Sequence, residues 1–264
     1  MTPRRGGLRP TPDDHHALRH GSPQTGTLRS RVRSSASPPA GVDLRHLVHE
    51  VLDQGQTNSC GGQAVAQAVR LSARANGAEN PPLPSRRYLY HDAVGYGHAH
   101  RAEAFADLGT TFGDIFSATA WVGVVDEVEW PWNEERVLEQ PPLRLFRHGS
   151  DYRWSVDGFL RFEDGERSLG LRHALDAMYP TVIGLSIDEA FEAMDGPSVI
   201  TKMGAPIGGH ALAAVGYDPE GLWIVNSWGR GWRNAGFAKI AWSVIESPVL
   251  MDAWAVSIAP PRVV

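Results

Sequence analysis

Residues 53–62 read Asp53-Gln54-Gly55-Gln56-Thr57-Asn58-Ser59-Cys60-Gly61-Gly62, and the alanine-rich run Val65-Ala66-Gln67-Ala68-Val69-Arg70-Leu71 follows. Alanine with Val65, Val69 and Leu71 predicts a buried helix over 65–75, with Asn58 and Ser59 in the capping region before it. Cys60 is the only cysteine in the 264 residues. A lone cysteine is ordinarily a small buried hydrophobe. This one opens the predicted helix, where unpaired N–H groups and the helix dipole favour a thiolate. Small or polar residues flank it, and Gly61 and Gly62 allow another backbone or a substrate to approach closely.

Two further segments stand out downstream. In Gly208-Gly209-His210-Ala211-Leu212 a histidine follows two glycines and opens an apolar strand. In Trp223-Ile224-Val225-Asn226-Ser227-Trp228-Gly229-Arg230-Gly231-Trp232 an asparagine ends a strand and is followed by glycines and tryptophans. Taken singly, each has an ordinary reading: a satisfied core histidine for one and a turn-forming asparagine for the other. Around them the texture changes along the chain. Helices are expected over 86–94 and 114–122, with a turn near 134–139. One more helix, over 169–178, precedes strands over 181–187, 210–217, 222–226, 237–242 and 253–258. A helical first half and a strand-rich second half imply an α+β chain of two lobes.

Taken together, the three segments resemble the papain-like cysteine peptidases. Residues 53–60 match that family's nucleophile motif. Gly209-His210-Ala211 through Gly216-Tyr217-Asp218 matches its histidine strand, and Asn226-Ser227-Trp228-Gly229 through Gly236-Phe237 its asparagine segment. The order, with His210 following Cys60 by 210 − 60 = 150 residues, is that of the family. Val42-Asp43-Leu44-Arg45 resembles its mature N-terminal opening, while Asp107-Leu108-Gly109-Thr110-Thr111 and Glu129-Trp130-Pro131-Trp132 are similar to segments of its compact bacterial branch. The resemblance covers about residues 42–245. It departs where the family carries aromatic residues directly after the nucleophile and two positions further on; Gly61 and Gln63 stand there.

The resemblance implies a two-lobe fold over residues 42–264. A helical left lobe (about 50–145) faces an antiparallel, β-barrel-like right lobe (about 146–264), with the active site between them. It implies a thiol peptidase in which Cys60 is the nucleophile, His210 the acid/base and Asn226 the residue that orients His210. Gln54 would donate to the oxyanion together with the Cys60 backbone N–H. Gly109, Thr110, Gly184, Gly209 and Trp228 would be substrate-binding positions, Trp228 by covering the His210–Asn226 hydrogen bond. A thiol acyl-transferase or isopeptidase would keep the same residues, and a non-catalytic binding module on the same scaffold is the reading of a different class.

Bulk properties set the remaining expectations. The composition, 42% hydrophobic and 21% charged, is that of an ordinary globular chain, and a net charge of −5 gives no general pull toward nucleic acid or anionic lipid. Residues 1–41 are rich in Arg, Pro and Ser and poor in large apolar residues, so they are expected to be disordered. No apolar run is long enough to span a bilayer and no secretory h-region appears, so a cytoplasmic monomer acting on peptide or protein substrate is expected. No cofactor or metal is expected: His91, His98 and His100 match no strong metal spacing.

Overall fold

The protein is described by a computed structural model that covers residues 6–15, 26, 28–30, 32, 37–151 and 155–259. The long buried helix α1 (Cys60–Ala75) starts at the cysteine itself. Its small residues Gly61, Gly62, Ala64, Ala66 and Ala68 are all buried, which lets neighbours approach from several sides at once. Helix α2 (Arg86–Arg101) packs against it, and Ser85 caps α2 by accepting from the Tyr88 N–H. Helix α3 (Phe112–Val122) packs on α2 and opens with a reciprocal capping box between Thr111 and Asp114. Helix α4 (Leu143–Asp151) completes the helical half.

The second half contributes most of one sheet. Its strands are β2 (Ser155–Arg161), β3 (Thr181–Ile187), β4 (Val199–Ile200), β5 (Gly208–Tyr217), β6 (Gly221–Val225), β7 (Phe237–Ala241) and β8 (Leu250–Ala259). Strand β1 (Val42–Asp43) comes from before the helical half and pairs with the far end of β5. The order is β2-β8-β3-β5-β6-β7-β4, antiparallel except for the β4–β7 pair. The barrel-like lobe is therefore an open sheet, since the path ends at β2 and β4 without closing. Short helices α5 (Arg167–Asp176), α6 (Glu189–Glu192) and α7 (Trp242–Ile245) connect these strands.

The two halves meet where α1 lies along β5. Strand β5 runs through the interior between β3 and β6 and is buried from His210 onward, so it reads as a continuous apolar run rather than an alternating one. The buried face of α1 and the small residues Ala211, Ala213 and Ala214 of β5 belong to one core. Helices α1, α2, α3 and α5 overlap those expected, α1 starting earlier at Cys60 and α2 running on to Arg101, while α4, α6 and α7 had no counterpart among them.

The close packing of α1 on α2 yields a prediction. A Cβ at Gly62 would come within 2.8 Å of the Arg86 carbonyl oxygen, a backbone atom that cannot swing away. Gly62→Ala should therefore cost about 1–3 kcal/mol, as overpacking does. For a chain of this size that lowers Tm by several degrees, which thermal unfolding would measure.

Candidate active site

His210 enters the cleft at the start of β5, opposite Leu185 of β3, and Asn226 follows directly on the end of β6. Both are buried. His210 Nε2 lies 2.7 Å from Asn226 Oδ1. The same Asn226 oxygen accepts the Ser227 backbone N–H at 2.7 Å. A backbone N–H can only donate, so the amide atom facing it is the oxygen and not the nitrogen. It follows that Nε2 of His210 carries a proton.

An aromatic shell encloses this pair. The Trp228 ring stands 4.5 Å from the imidazole, centroid to centroid, at an interplanar angle of 33°. Phe191 of α6 meets the imidazole edge-on at 6.0 Å, and Trp232 packs on both Phe191 and Trp228. The His210–Asn226 bond thus lies in surroundings where water does not compete for it.

Cys60 approaches from the other half. It is fully buried at the first position of α1. Burial pushes the thiol up to about 11, and hydrogen bonding from the backbones of Ala211, Gly7 and Gly61 offsets this only in part. The Ala211 backbone, next to His210 in β5, is among the groups that lower it, so the sulfur lies near the head of β5. α1 on β5 therefore brings Cys60 near the head of the strand that carries His210, although 150 residues separate them in sequence.

Gln54 is fully buried beside them. Its loop is tied to the segment after Asn226 by backbone bonds, Gln54 N to Ser227 O and Gly229 N to Leu52 O, both 2.9 Å. Its side-chain oxygen accepts from Ser227 Oγ at 2.8 Å, and its amide nitrogen donates to the Thr57 carbonyl at 2.7 Å. An amide nitrogen has two N–H groups, so this bond uses one and leaves the other for a ligand.

The departures at Gly61 and Gln63 have local causes. A Cβ on Gly61 would come within 2.7 Å of Ile115 Cδ1, so the α3 side chain fills the space that an aromatic residue would need. Gln63 is fully buried and accepts from Arg86 Nη1 at 3.1 Å, while Arg86 also pairs with Glu127. A polar link between α1 and α2 thus stands where an aromatic contact was expected.

Gly109 and Thr110 form one wall of the cleft, and Gly209 the other; Gly184 of β3 lies between them, where an added Cβ would come 3.5 Å from the Cβ of Asp252. Gly109 has φ +84°, a conformation that favours glycine. Four residues to which the sequence reading gave no role, Tyr90, Asp107, Ile115 and Asp114, hold this wall. Tyr90 accepts the Gly109 N–H through its hydroxyl at 3.1 Å and donates to Asp107 at 2.5 Å, and Asp107 accepts the Asn58 N–H at 3.0 Å. Ile115 backs Gly61. Only Asp114, three residues after Thr111, left a readable signal, as a capping box.

The N-terminal stretch departs from expected disorder where it is described. Residues 6–15 lie in the cleft. Leu8 N donates to Gly209 O, Thr110 N to Gly7 O and Arg9 N to Thr110 O, each at 2.9 Å. Leu8, Thr11 and His15 are buried, as are Leu28 and Val32 further along. Composition predicts disorder by asking whether a stretch can bury itself; this one buries a few side chains in surfaces built by the rest of the chain. The other residues of 1–41, apart from 26, 28–30, 32 and 37–41, lie outside the described ones. Among the described residues no group of three or more His, Cys, Asp or Glu side chains could hold a metal ion, and no helix is long and apolar enough to cross a membrane.

Known proteins share this fold. The chain resembles the solved structure of xylellain, a cysteine protease from Xylella fastidiosa, with a TM-score of 0.77, 22% identity and 98% of each chain covered. It also resembles a cysteine protease of Carica candamarcensis, with a TM-score of 0.64 and 22% identity over 83% of this chain and 98% of that one. Among curated proteins, an uncharacterized peptidase C1-like protein of Acanthamoeba polyphaga mimivirus is 24% identical over 233 residues, covering 80% of this chain and 72% of that protein. Those likenesses speak for the fold. The model of the papain family cysteine protease matches residues 38–255, which include Gln54, Cys60, His210 and Asn226, and the chain belongs to that family of peptidases.

Proposed function

We propose that the chain hydrolyses peptide bonds through a Cys60 thioester acyl-enzyme, with His210 as acid and base, Asn226 as the residue orienting it and Gln54 as an oxyanion donor. The observation that carries this reading is the shared Asn226 oxygen. By accepting from both His210 Nε2 and Ser227 N it leaves one tautomer, with Nδ1 as the exchanging atom.

With substrate in place, Nδ1 of His210 takes the Cys60 proton, giving a thiolate and imidazolium pair. The sulfur attacks the carbonyl carbon, and the displaced electron pair collects on the carbonyl oxygen. The remaining Gln54 side-chain N–H and the Cys60 backbone N–H are the donors aimed at that oxygen. Nδ1 returns the proton to the departing amine as the C–N bond breaks, leaving a thioester. A water molecule, deprotonated by His210, attacks the thioester carbonyl; the C–S bond breaks and Cys60 leaves with its proton restored. Asn226 and Trp228 take no proton. They hold the imidazole plane through both steps, and Gly109, Thr110, Gly184 and Gly209 form the channel for the peptide.

Cys60→Ala should abolish peptide hydrolysis and labelling by a thiol-directed alkylating peptide; turnover by that variant on a peptide library would sink the mechanism. Gln54→Ala should lower kcat by about 10²–10³-fold with little change in KM, since oxyanion donors act on the transition state. A loss seen only in KM would remove Gln54 from that role. Asn226→Ala should lower kcat and shift the acid limb of the pH–rate profile, because the imidazolium loses its fixed acceptor. An unchanged profile would make Asn226 merely structural.

A further inference from the structure

The loop that leads into Cys60 and the loop that carries Gly109 and Thr110 are joined by one carboxylate, although Asn58 and Asp107 stand 49 residues apart in sequence. Asp107 Oδ1 accepts the Asn58 backbone N–H at 3.0 Å, two residues before the cysteine, and Oδ2 lies 3.2 Å from the same nitrogen. The tie is returned by the Asn58 side chain, whose Nδ2 donates to the Asp107 carbonyl at 2.7 Å. Oδ1 also accepts the Tyr90 O–H at 2.5 Å, and the Tyr90 oxygen accepts the Gly109 N–H at 3.1 Å. Gly109 thus hangs on Tyr90, Tyr90 on Asp107, and Asp107 on the loop of the cysteine.

The direction of every bond in this relay is fixed. A backbone N–H only donates, a carboxylate only accepts, and a phenol does one of each. Burial, then the hydrogen bond to Asp107 and its charge, push the Tyr90 hydroxyl far above its ordinary value, so it keeps its proton and stays a donor. Tyr90 is fully buried on α2, and a Cβ on Gly62 would come within 3.3 Å of the Tyr90 Cβ, so the tyrosine is seated against the first turn of α1. Removing one partner would leave a buried group unpaired, which costs more than the bond itself contributes. Gly109, at φ +84°, turns the wall, and Thr110 after it presents both its N–H and its C=O to the cleft. Residues 7–9 show how an extended chain uses that edge: Thr110 N donates to Gly7 O and Thr110 O accepts from Arg9 N, both at 2.9 Å. A bound peptide meets the same two groups.

We propose that Asp107 and Tyr90 are positioning residues of the peptidase: through Asn58 and Gly109 they set where the Thr110 pairing edge stands relative to the Cys60 loop, and so how well an extended peptide backbone is held while it is cut. The inference rests on Cys60 being the nucleophile. Both residues act through others, one through a backbone N–H of the cysteine loop and one through a backbone N–H of the wall. The tolerance is small, because a backbone bond made at about 2.9 Å is no longer one at about 3.6 Å. The tie uses the acceptor at position 107 and not its charge, since the single oxygen Oδ1 takes both the Asn58 and the Tyr90 bond. An asparagine whose amide oxygen replaces Oδ1 can therefore serve, and a leucine of the same shape cannot.

The test compares kcat/KM of the full chain on a cleaved peptide and on copies N-methylated at one residue at a time on the acyl side of the cleaved bond. A methylated nitrogen cannot donate to the Thr110 carbonyl. In the native chain one position should lose about ten-fold or more on methylation. In Tyr90→Phe, and separately in Asp107→Leu, that loss should shrink to under about three-fold, while Asp107→Asn should keep it. Residues 6–9 lie in the way of both copies of a peptide alike, so the ratio does not depend on how tightly they sit in the cleft. Nor does it depend on the fraction of folded chain, which is what a merely structural role would change. Tyr90→Phe removes one oxygen and keeps the ring, and circular dichroism checks that it folds. A methylation loss of native size in folded Tyr90→Phe would overturn the proposal, as would a native chain that tolerates methylation at every position. Either result leaves the thiol mechanism standing. A native chain that cleaves no peptide, with Cys60 unreactive toward the alkylating peptide, removes that mechanism and the positioning role with it.

Discussion

The contact on which this structure depends is the face of α1 laid along β5. Both elements are buried and rich in small residues: Gly61, Gly62, Ala64, Ala66 and Ala68 on the helix, Ala211, Ala213 and Ala214 on the strand. Small residues let helix axis and sheet approach closely, and close approach gives dense dispersion contact for little lost side-chain entropy. The same contact has a chemical consequence. A helix start carrying Cys60 and a strand start carrying His210 are brought near one another. A change that pushed α1 away from β5 would move Cys60 away from His210 even if both residues remained.

Around that point polar groups are tied to partners on other segments, and the Gln54–Ser227 tie joins the two halves. Gln54 is held by Ser227, Asn58 by Asp107, Gly109 by Tyr90, and His210 by Asn226. Buried polar groups are costly when unpaired, so such ties fix geometry as well as fill space. The Asn226 oxygen shows how this works. A backbone donor that cannot reverse its role decides which end of the amide faces the imidazole, and the amide in turn decides where the ring proton sits. The tryptophan and phenylalanine shell excludes the water that would scramble that choice.

The N-terminal segment shows the limit of arguing from composition. Residues 6–15 contain a single leucine among glycines, prolines and polar residues, and alone they could not offset their ordering entropy. They do not have to. The cleft is already lined with backbone donors and acceptors at Gly209 and Thr110 and with carboxylates at Glu103, Asp114 and Asp252. The segment supplies matching groups at matching spacing, and its glycines pass where a side chain would strike Asn58 or Gly209.

The amino-acid sequence by itself determined the periodic elements and the chemistry-bearing residues. The helix behind Cys60, the apolar strand opened by His210 and the strand closed by Asn226 are local patterns, and local patterns survive without knowledge of neighbours. The order of the three motifs was enough to imply the family and the α+β, two-lobe plan. What depended on contacts between distant residues could be decided only by the tertiary structure. The sheet is open, a property of which strands meet and not of any one strand. Gly61 and Gln63 are explained by Ile115 and Arg86, side chains on other helices. Tyr90, Asp107 and Asp252 matter only because folding carries them to the cleft wall and floor. Ten residues that read as tail lie instead across the thiol, because a segment's order depends on the surface that receives it as much as on its own composition.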